Sequence, residues 1–214
     1  MSVLWTPVDF ENNKLYDIGA KGFDYIGAWG GSMAVNAASK YEGTYGCEIS
    51  PMVGWRILGA KRINNVSRFR QAFYLHPNAI AMSEDKYFVL GRDYHSDTTW
   101  RKYMILFRWT EAAGYQIQIG ISDNTGGIVA NSSIYALPTQ AGWNLIEMEW
   151  ISGSPGSFQL WLDGVSKGTI NATNNLIRLV YPSLGSVVAS GGTITGSFYI
   201  DNWRANDDGT EIGA

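Results

Sequence analysis

Apolar and polar residues alternate with a period of two along most of this 214-residue chain, the pattern of β-strands with one buried face. Gly, Asn, Asp and Pro residues bound the alternating stretches. Helical periodicity is weak throughout, and only residues 77–85 are expected to form one short helical turn. The clearest predicted strands are residues 68–75, 87–92, 103–109, 115–121, 144–150, 157–162 and 197–203.

The connectors between these strands are short, which predicts antiparallel hairpins. Residues 110–114 and the Asp163-Gly164 pair have the length and the turn residues that hairpins use. The sequence contains no internal repeat and no low-complexity tract, so propeller and solenoid folds are not expected. We therefore predict a two-sheet sandwich that forms a single domain over residues 1–214.

Composition supports an ordered, all-β chain. The 9 Trp, 12 Tyr and 8 Phe residues provide far more apolar surface than disordered chains have. The 25 Gly residues and a charged fraction of 16% favour tight turns and uncharged strands over helix surfaces. The length of 214 residues is consistent with a single sandwich domain, since sandwiches often reach about 200–250 residues as one domain.

Charge and cysteine content exclude several classes of function. The net charge is −3, and no basic run is longer than the Lys61-Arg62 and Arg101-Lys102 pairs, so nucleic acid is not an expected partner. Cys47 is the single cysteine, which excludes an intramolecular disulfide and predicts a small buried residue. No signal peptide and no run of about 18 apolar residues is present. We expect synthesis in the cytoplasm without membrane insertion.

Four segments carry a family resemblance. They are Asp-Phe-Glu at 9–11, a Gly-aromatic-Gly stretch leading into a strand at 38–49, a Trp-x-x-x-Glu strand at 143–150 with a hairpin at 160–164, and a closing strand at 196–203. In this order they resemble the concanavalin A-like lectin and glucanase family, including its laminin-G-like binding domains. The resemblance implies an all-β, two-sheet antiparallel jelly-roll β-sandwich.

The same resemblance implies a structural calcium ion. A jelly roll brings its first and last strands together, so residues 9–11 and the closing strand are expected to share one edge of a sheet, and related carbohydrate-binding modules hold calcium there. By position, Glu11 and Asp201 would be carboxylate ligands, with Asp9 or Glu42 as helpers. Calcium binds six to eight oxygens, which carboxylates, carbonyls and water supply. The alternative is that Glu11 and Asp201 bond to loop amides.

Catalysis is not expected from the carboxylates. Retaining glucanases of this fold use a Glu-x-Asp-x-x-Glu strand, whereas this chain has Glu147-x-Glu149 without the third carboxylate. Alginate lyases of the fold would need Arg, His or Gln, and Tyr together, while His76 and His95 are isolated and His76 precedes Pro77 in a predicted turn. We predict that the protein is not an enzyme, and a hydrolase or lyase using Glu147 and Glu149 is the weaker alternative.

Strand alternation predicts an outward-facing set of planar and polar side chains. Such groups suit a glycan site. The apolar character of both faces at residues 104–107 also suits burial against another subunit, so sugar and protein both remain open as partners. The predicted ligand-binding residues are Trp161, Gln116, Gln118, Arg108, Tyr74 and Arg70.

These observations predict a non-catalytic, lectin-like binding and adhesion module. The absence of a signal peptide and of disulfides favours display on a phage virion or similar particle, where the module would contact glycans. The alternative is a purely structural decoration or assembly subunit whose outer sheet is buried by neighbouring subunits. Apart from the structural calcium ion, no cofactor is expected.

Overall fold

The computed structural model describes residues 10–11, 25–28, 31–51, 56–60, 66–93, 103–123, 127–173, 176, 179, 181–189 and 192–212. These residues form strands and one short 3₁₀ helix, Ala37–Ser39. The strands are β1 (Tyr25–Ala28), β2 (Ser32–Asn36), β3 (Gly46–Ser50), β4 (Arg56–Ala60), β5 (Arg68–His76), β6 (Ala81–Met82), β7 (Lys86–Asp93), β8 (Tyr103–Thr110), β9 (Gly114–Ser122), β10 (Ile128–Asn131), β11 (Tyr135–Ala136), β12 (Asn144–Ile151), β13 (Gly156–Leu162), β14 (Val165–Ala172), β15 (Pro182–Ala189), β16 (Ile194–Thr195) and β17 (Phe198–Asn206).

The strands pair into two large antiparallel sheets. The seven-stranded sheet has the order β14-β13-β12-β5-β17-β3-β2. The eight-stranded sheet has the order β1-β4-β15-β7-β8-β9-β10, with β11 also paired to β9. The short strands β6 and β16 form a separate pair. This is the predicted two-sheet antiparallel sandwich.

The core lies between the two sheets and is built from the inward face of each strand. Aromatic rings join the layers: Phe88 lies 5.3 Å from Phe198, and Tyr103 lies 5.3 Å from Phe158, between ring centroids. Burial of such side chains contributes about 1.5–3 kcal/mol each. Cys47 is a free, fully buried member of this core, as predicted.

The alternation along β5 sets the outer face of the seven-stranded sheet. Phe69, Phe73 and Leu75 are buried in the core, and successive side chains of a strand point to opposite faces. The outer face of β5 therefore carries Arg68, Arg70, Ala72, Tyr74 and His76. The register of β12 places Glu147 opposite Ala72 and Glu149 opposite Arg70.

Two local predictions are wrong. Residues 77–85 contain no helical turn; they form a turn in which Ile80 N donates to Pro77 O at 3.2 Å, and then β6. The closing strand β17 lies between β5 and β3 inside the sheet, not at an edge, because the β2–β3 hairpin extends the sheet beyond it. Pairing with residues before Phe10 lies outside the described residues.

The apolar outer face of the eight-stranded sheet is already covered within the chain. Leu106 and Val89 are each 7% exposed and form a small cluster with Ala60. Their burial therefore requires no second subunit. Within the described part of the chain, no helix has both the length and the apolar character that a membrane crossing requires. The single domain over residues 1–214 stays a prediction.

Candidate functional site

A groove of about 490 Å³ opens on the outer face of the seven-stranded sheet. This volume is in the usual range for ligand sites. The groove combines aromatic rings with carboxylates. Its lining residues come from β5, from β12 and the residue before it, from the loop before β3, from the β13–β14 turn and from the segment after β17. The lining residues are Tyr41, Tyr74, Trp143, Leu145, Glu147, Asp163, Gly164 and Glu211.

The fully buried amide of Asn144 fixes the approach of the chain to Trp143. Its Oδ1 accepts from Thr139 N at 2.7 Å. Its Nδ2 donates to Thr139 O at 2.8 Å and to Gly142 O at 2.9 Å. Because one side chain holds both ends of the preceding loop, Trp143 is presented to the groove from a rigid support.

We expect Asn144→Ala to lower the free energy of unfolding by about 2–3 kcal/mol, because the loop amide and carbonyls lose their partners. The melting temperature should fall by roughly 4–12 °C for a chain of this size. Asn171→Ala, at an exposed position of the edge strand β14, is the matched control and should change the melting temperature little. Equal melting temperatures for the two variants would contradict the role of Asn144.

The β13–β14 hairpin closes one end of the groove. Its two turn residues, Asp163 and Gly164, have φ values of 49° and 75°, which fits the type I′ turn that suits two-residue hairpins. Asp163 Oδ1 accepts from Leu145 N at 2.7 Å. The turn geometry confirms the predicted hairpin. The hydrogen bond joins the hairpin tip to the start of β12 in the groove wall.

The loop formed by residues 40–45 carries Tyr41 and is held by two carboxylates. Asp201 Oδ2 accepts from Tyr41 N at 2.8 Å and from Glu42 N at 3.3 Å. Glu11 accepts from Thr44 N at 2.8 Å. Burial raises the pKa of Asp201 to about 6, although these amide donors lower it. The two carboxylates therefore order the loop that presents Tyr41.

The predicted calcium ligands make contacts that fit the amide-bonding alternative. Glu11 and Asp201 face backbone N–H donors, while Glu42 binds the Asn202 amide and pairs with Arg204 at 3.1 Å. Asp9 lies outside the described residues. Among the described residues, no group of three His, Cys, Asp or Glu side chains could hold a metal ion. Calcium stays a prediction, which a fall in melting temperature on chelation would support.

An aromatic cluster surrounds the groove. The rings of Tyr41 and Tyr74 stack with centroids 3.5 Å apart. Trp143 packs edge-on against Tyr41 at 5.6 Å and against His76 at 5.3 Å. His76 also lies 5.9 Å from Tyr199 on the neighbouring strand β17. Flat rings of this kind suit the apolar faces of sugars.

Tyr41 and Tyr74 form a stacked phenol pair. Burial, and next a hydrogen bond with Tyr41, raise the pKa of Tyr74 to about 12. The negative charge of Glu42 acts in the same direction, whereas the nearby guanidinium of Arg204 acts against it. Tyr74 is therefore a protonated phenol at neutral pH.

His76 ends strand β5 beside this pair. Its Nδ1 accepts from Asn78 N at 2.8 Å, so in the neutral ring the proton is on Nε2. Burial lowers the pKa of His76 from its ordinary value of 6.5. His76 is therefore neutral at pH 7 and offers an N–H donor. The interpretation that His76 is isolated in a turn is wrong.

The lowered pKa of His76 predicts a pH effect on stability. The unfolded chain binds the proton more tightly, so the contribution of neutral His76 is complete above pH 6.5 and decreases as pH falls below it. Asp201, with its raised pKa, acts in the opposite direction. The effect is therefore measured as the difference between wild type and His76→Gln in denaturant unfolding between about pH 7 and pH 5.

His95 is the only other histidine, and His95→Gln provides the control for loss of an imidazole. We expect the stability of His76→Gln to fall less than that of wild type on acidification. A steeper fall in His76→Gln would contradict the lowered pKa.

Glu147 and Glu149, the carboxylates of the hydrolase alternative, each form an ion pair with an arginine. Glu147 Oε1 lies 2.8 Å from Arg70 Nε, with side chains 3% and 11% exposed. Glu149 Oε1 lies 2.8 Å from Arg68. Glu147 Oε1 also accepts from Ile212 N at 3.2 Å. Neither carboxylate is free to act as nucleophile or acid, so the pair does not support the hydrolase alternative.

The predicted ligand-binding set is divided between the two sheets. Tyr74, Arg70 and Trp161 lie on the outer face of the seven-stranded sheet, where the Arg70 guanidinium stacks 4.5 Å from the Trp161 ring centroid. The other three lie on β8 and β9 of the opposite sheet. The six residues therefore cannot form one surface. The residues on the opposite sheet are Arg108, Gln116 and Gln118.

The sequence did not indicate several groove residues. His76 shares the alternation phase of Tyr74 along β5, and this signal was available. Tyr41 and Trp143 lie in loops, where no periodicity marks the direction of a side chain. Arg204 follows a bulge in β17, at which Asn202 has a φ of 52°. The bulge shifts the alternation, so a period-two pattern does not predict the face on which Arg204 lies.

No protein-family model and none of the curated proteins matches the sequence. Solved structures do match. The chain is similar to the cellulose-induced protein Cip1, with a TM-score of 0.64 at 14% identity, over 100% of this chain and 99% of that chain. It is also similar to the endo-β-1,4-glucuronan lyase of the fungus Trichoderma reesei, with a TM-score of 0.60 at 13% identity, over 86% and 90% of the two chains.

A third similar structure is a mutant of alginate lyase Aly36B in complex with alginate trisaccharide. Its TM-score is 0.59 at 11% identity, over 95% of this chain and 97% of that chain. These similarities confirm the concanavalin A-like jelly-roll sandwich, a fold shared by polysaccharide lyases and carbohydrate-binding proteins. The narrower likeness to laminin-G-like domains stays a prediction.

The neighbours contradict the prediction of a non-catalytic module. Several of the similar structures are polysaccharide lyases, and this finding stands against the prediction that the protein is not an enzyme. The prediction failed because the residues that a lyase would need are far apart in the sequence, whereas the fold brings Tyr41, Tyr74 and His76 together. Display on a virion or particle remains a prediction.

Proposed function

We propose that the protein is a polysaccharide lyase that cleaves a uronate-containing glycan by β-elimination in the groove. The observation that carries the proposal is the stacked phenol pair of Tyr41 and Tyr74, whose ring centroids lie 3.5 Å apart in a sugar-sized groove near the cation Arg204. The similarity in fold to glucuronan and alginate lyases supports the same reaction class.

β-Elimination needs three kinds of group and no hydrolytic water. A base removes the proton from C5 of the uronate, whose electron pair forms the C4–C5 double bond. The C4–O4 bond then breaks, and an acid supplies a proton to O4. A cation or hydrogen-bond donor at the carboxylate stabilises the charge that develops beside C5.

The groove offers one group for each task. Tyr74, protonated at neutral pH, donates to O4 of the leaving sugar. Tyr41, the exposed member of the stacked pair, is the proposed base, and its phenol oxygen, in the deprotonated form that a base requires, accepts the C5 proton. After the step, Tyr41 has gained one proton and Tyr74 has lost one, so transfer of one proton from Tyr41 to Tyr74, directly or through solvent, restores both residues.

Arg204 is the cation for the uronate carboxylate. Its side chain is 35% exposed, and its Nε donates to Asn202 Oδ1 at 2.8 Å, which fixes the guanidinium beside Tyr74. The Nε2–H of His76 supplies a further donor on the same face. Together they place positive charge and donors where the carboxylate becomes more negative.

The test is a survey of uronate-containing polysaccharides with ultraviolet absorbance as readout. Elimination creates an unsaturated uronate that absorbs in the ultraviolet, whereas hydrolysis does not. We expect an absorbance increase that parallels a fall in polymer size. New saturated reducing ends without absorbance would indicate a hydrolase, and no cleavage of any uronate polymer would overturn the proposal.

A further inference from the structure

The groove is acidic in the part of the chain that the structure describes. Of its eight lining residues, three are carboxylates and none is a cation. Glu147 is neutralised by Arg70. Asp163 accepts only a backbone amide, from Leu145, and Glu211 is exposed to solvent. Two carboxylates therefore face the groove without a cation.

The arginines on this face are already paired. Arg68 and Arg70 lie 2.8 Å from Glu149 and Glu147, and Arg70 Nη1 also donates to Gly209 O at 3.1 Å. Arg204 lies 3.1 Å from the exposed Glu42. Three arginines against the five carboxylates Glu149, Glu147, Glu42, Asp163 and Glu211 leave a formal charge of −2.

A polyuronate with a charge on every sugar is poorly matched to this surface. Its neighbouring carboxylates would meet Asp163 and Glu211 in the groove, and juxtaposed like charges cost several kcal/mol. A single carboxylate, in contrast, is accommodated beside Arg204. The ion pair between Arg204 and the exposed Glu42 is weak because solvent screens it.

The rest of the groove suits uncharged sugars. The rings of Tyr41, Tyr74 and Trp143 line it, and Tyr199 extends the cluster at 6.4 Å from Trp143. Aromatic faces bind the C–H faces of sugars without requiring charge. Arg204 beside the groove therefore offers one position for a charged sugar, and the aromatic rings within the groove offer positions for uncharged sugars.

We infer that the substrate is a heteropolysaccharide in which single uronates are flanked by neutral sugars, and not a continuous polyuronate. The inference rests on the proposed lyase function and names its substrate class. Arg204 binds the one carboxylate at the cleaved linkage, the aromatic rings bind the neutral neighbours, and Asp163 and Glu211 exclude adjacent carboxylates.

The experiment compares kcat/KM on a polymer with one uronate in each multi-sugar repeat against polyglucuronate and alginate, with ultraviolet detection. We expect kcat/KM at least about tenfold higher on the heteropolymer. Added salt should raise kcat/KM on the polyuronates, because it screens repulsion. A groove that recognises polyanions would lose affinity with salt instead.

A charge variant tests the cause. Glu211→Gln should raise the ratio of polyuronate to heteropolymer activity several-fold, while Glu111→Gln, which removes an exposed carboxylate at the β8–β9 turn, should leave that ratio unchanged. Preference for polyuronates, weakened by salt, would overturn this inference and leave the lyase function intact. Absence of unsaturated product from every polymer would overturn the lyase function itself.

Discussion

Replacing Tyr74 with phenylalanine is expected to lower kcat of the elimination by about 10²–10⁴-fold, the range for loss of a general acid. The ring stack on Tyr41 would remain, because phenylalanine keeps the aromatic face. Only the phenol hydroxyl, and with it the proton that O4 would receive, is lost. The measurement is the initial rate of ultraviolet absorbance, with melting temperature recorded for each variant.

Tyr181→Phe is the matched control for Tyr74→Phe. Tyr181 precedes β15 in the eight-stranded sheet, and its backbone N donates to Asp93 Oδ1 at 2.9 Å, a contact that does not involve the phenol. The control should retain wild-type kcat. If Tyr74→Phe kept full activity on a polymer that the wild type cleaves, the leaving oxygen would have to receive its proton from another group.

The pH profile of the same variants separates chemistry from structure. Tyr74 has a pKa of about 12, so its protonated form persists across neutral and mildly alkaline pH. Asp201, with a pKa raised to about 6, holds Tyr41 through backbone amides in the same region of the sheet. A loss of activity at acidic pH therefore reports on the Asp201 contacts that hold Tyr41. A change in activity at alkaline pH reports on ionisation of Tyr74.

The fold could be predicted because it depends on a local pattern. Strand β13 alternates strictly between buried and half-buried side chains, and β5 does so except at the buried Ala72, so the period of two identifies each strand and its core-facing side. The Asp163-Gly164 turn is equally local, because both residues tolerate positive φ. Neither prediction required knowledge of distant contacts.

The site could not be predicted, because it depends on which strands are neighbours. Trp161 and Gln116 alternate outward in the same way, yet β13 and β9 lie in opposite sheets. Tyr41 meets Tyr74 only because Asp201, 160 residues away, holds the loop of residues 40–45 against β17. Such long-range pairing leaves no periodic signal in the sequence. Resemblance to a family gave the fold, and activity depends on side chains that the resemblance did not match.

Removing the charge of Glu147 is expected to have the largest effect on stability of any single charge change on this face. Glu147→Gln leaves Arg70, only 11% exposed, without its counter-ion. Breaking a buried ion pair from one side costs about 3–5 kcal/mol, and glutamine restores part of this as a hydrogen-bond acceptor. We expect a loss of about 3 kcal/mol and a fall in melting temperature of roughly 6–12 °C.

Glu149→Gln is the matched control, since it removes the same charge one outward position further along β12. Its partner Arg68 is 43% exposed, so water replaces the lost contact and the cost should be below about 1 kcal/mol. Adding Arg70→Gln to Glu147→Gln should recover stability, because no unpaired charge then stays buried. If both single variants melted at the wild-type temperature, Glu147 would be free of Arg70 and available for proton transfer. If Glu147→Gln instead melts well below Glu149→Gln, Glu147 has a structural role in the groove wall. The phenol pair then remains the source of the proton.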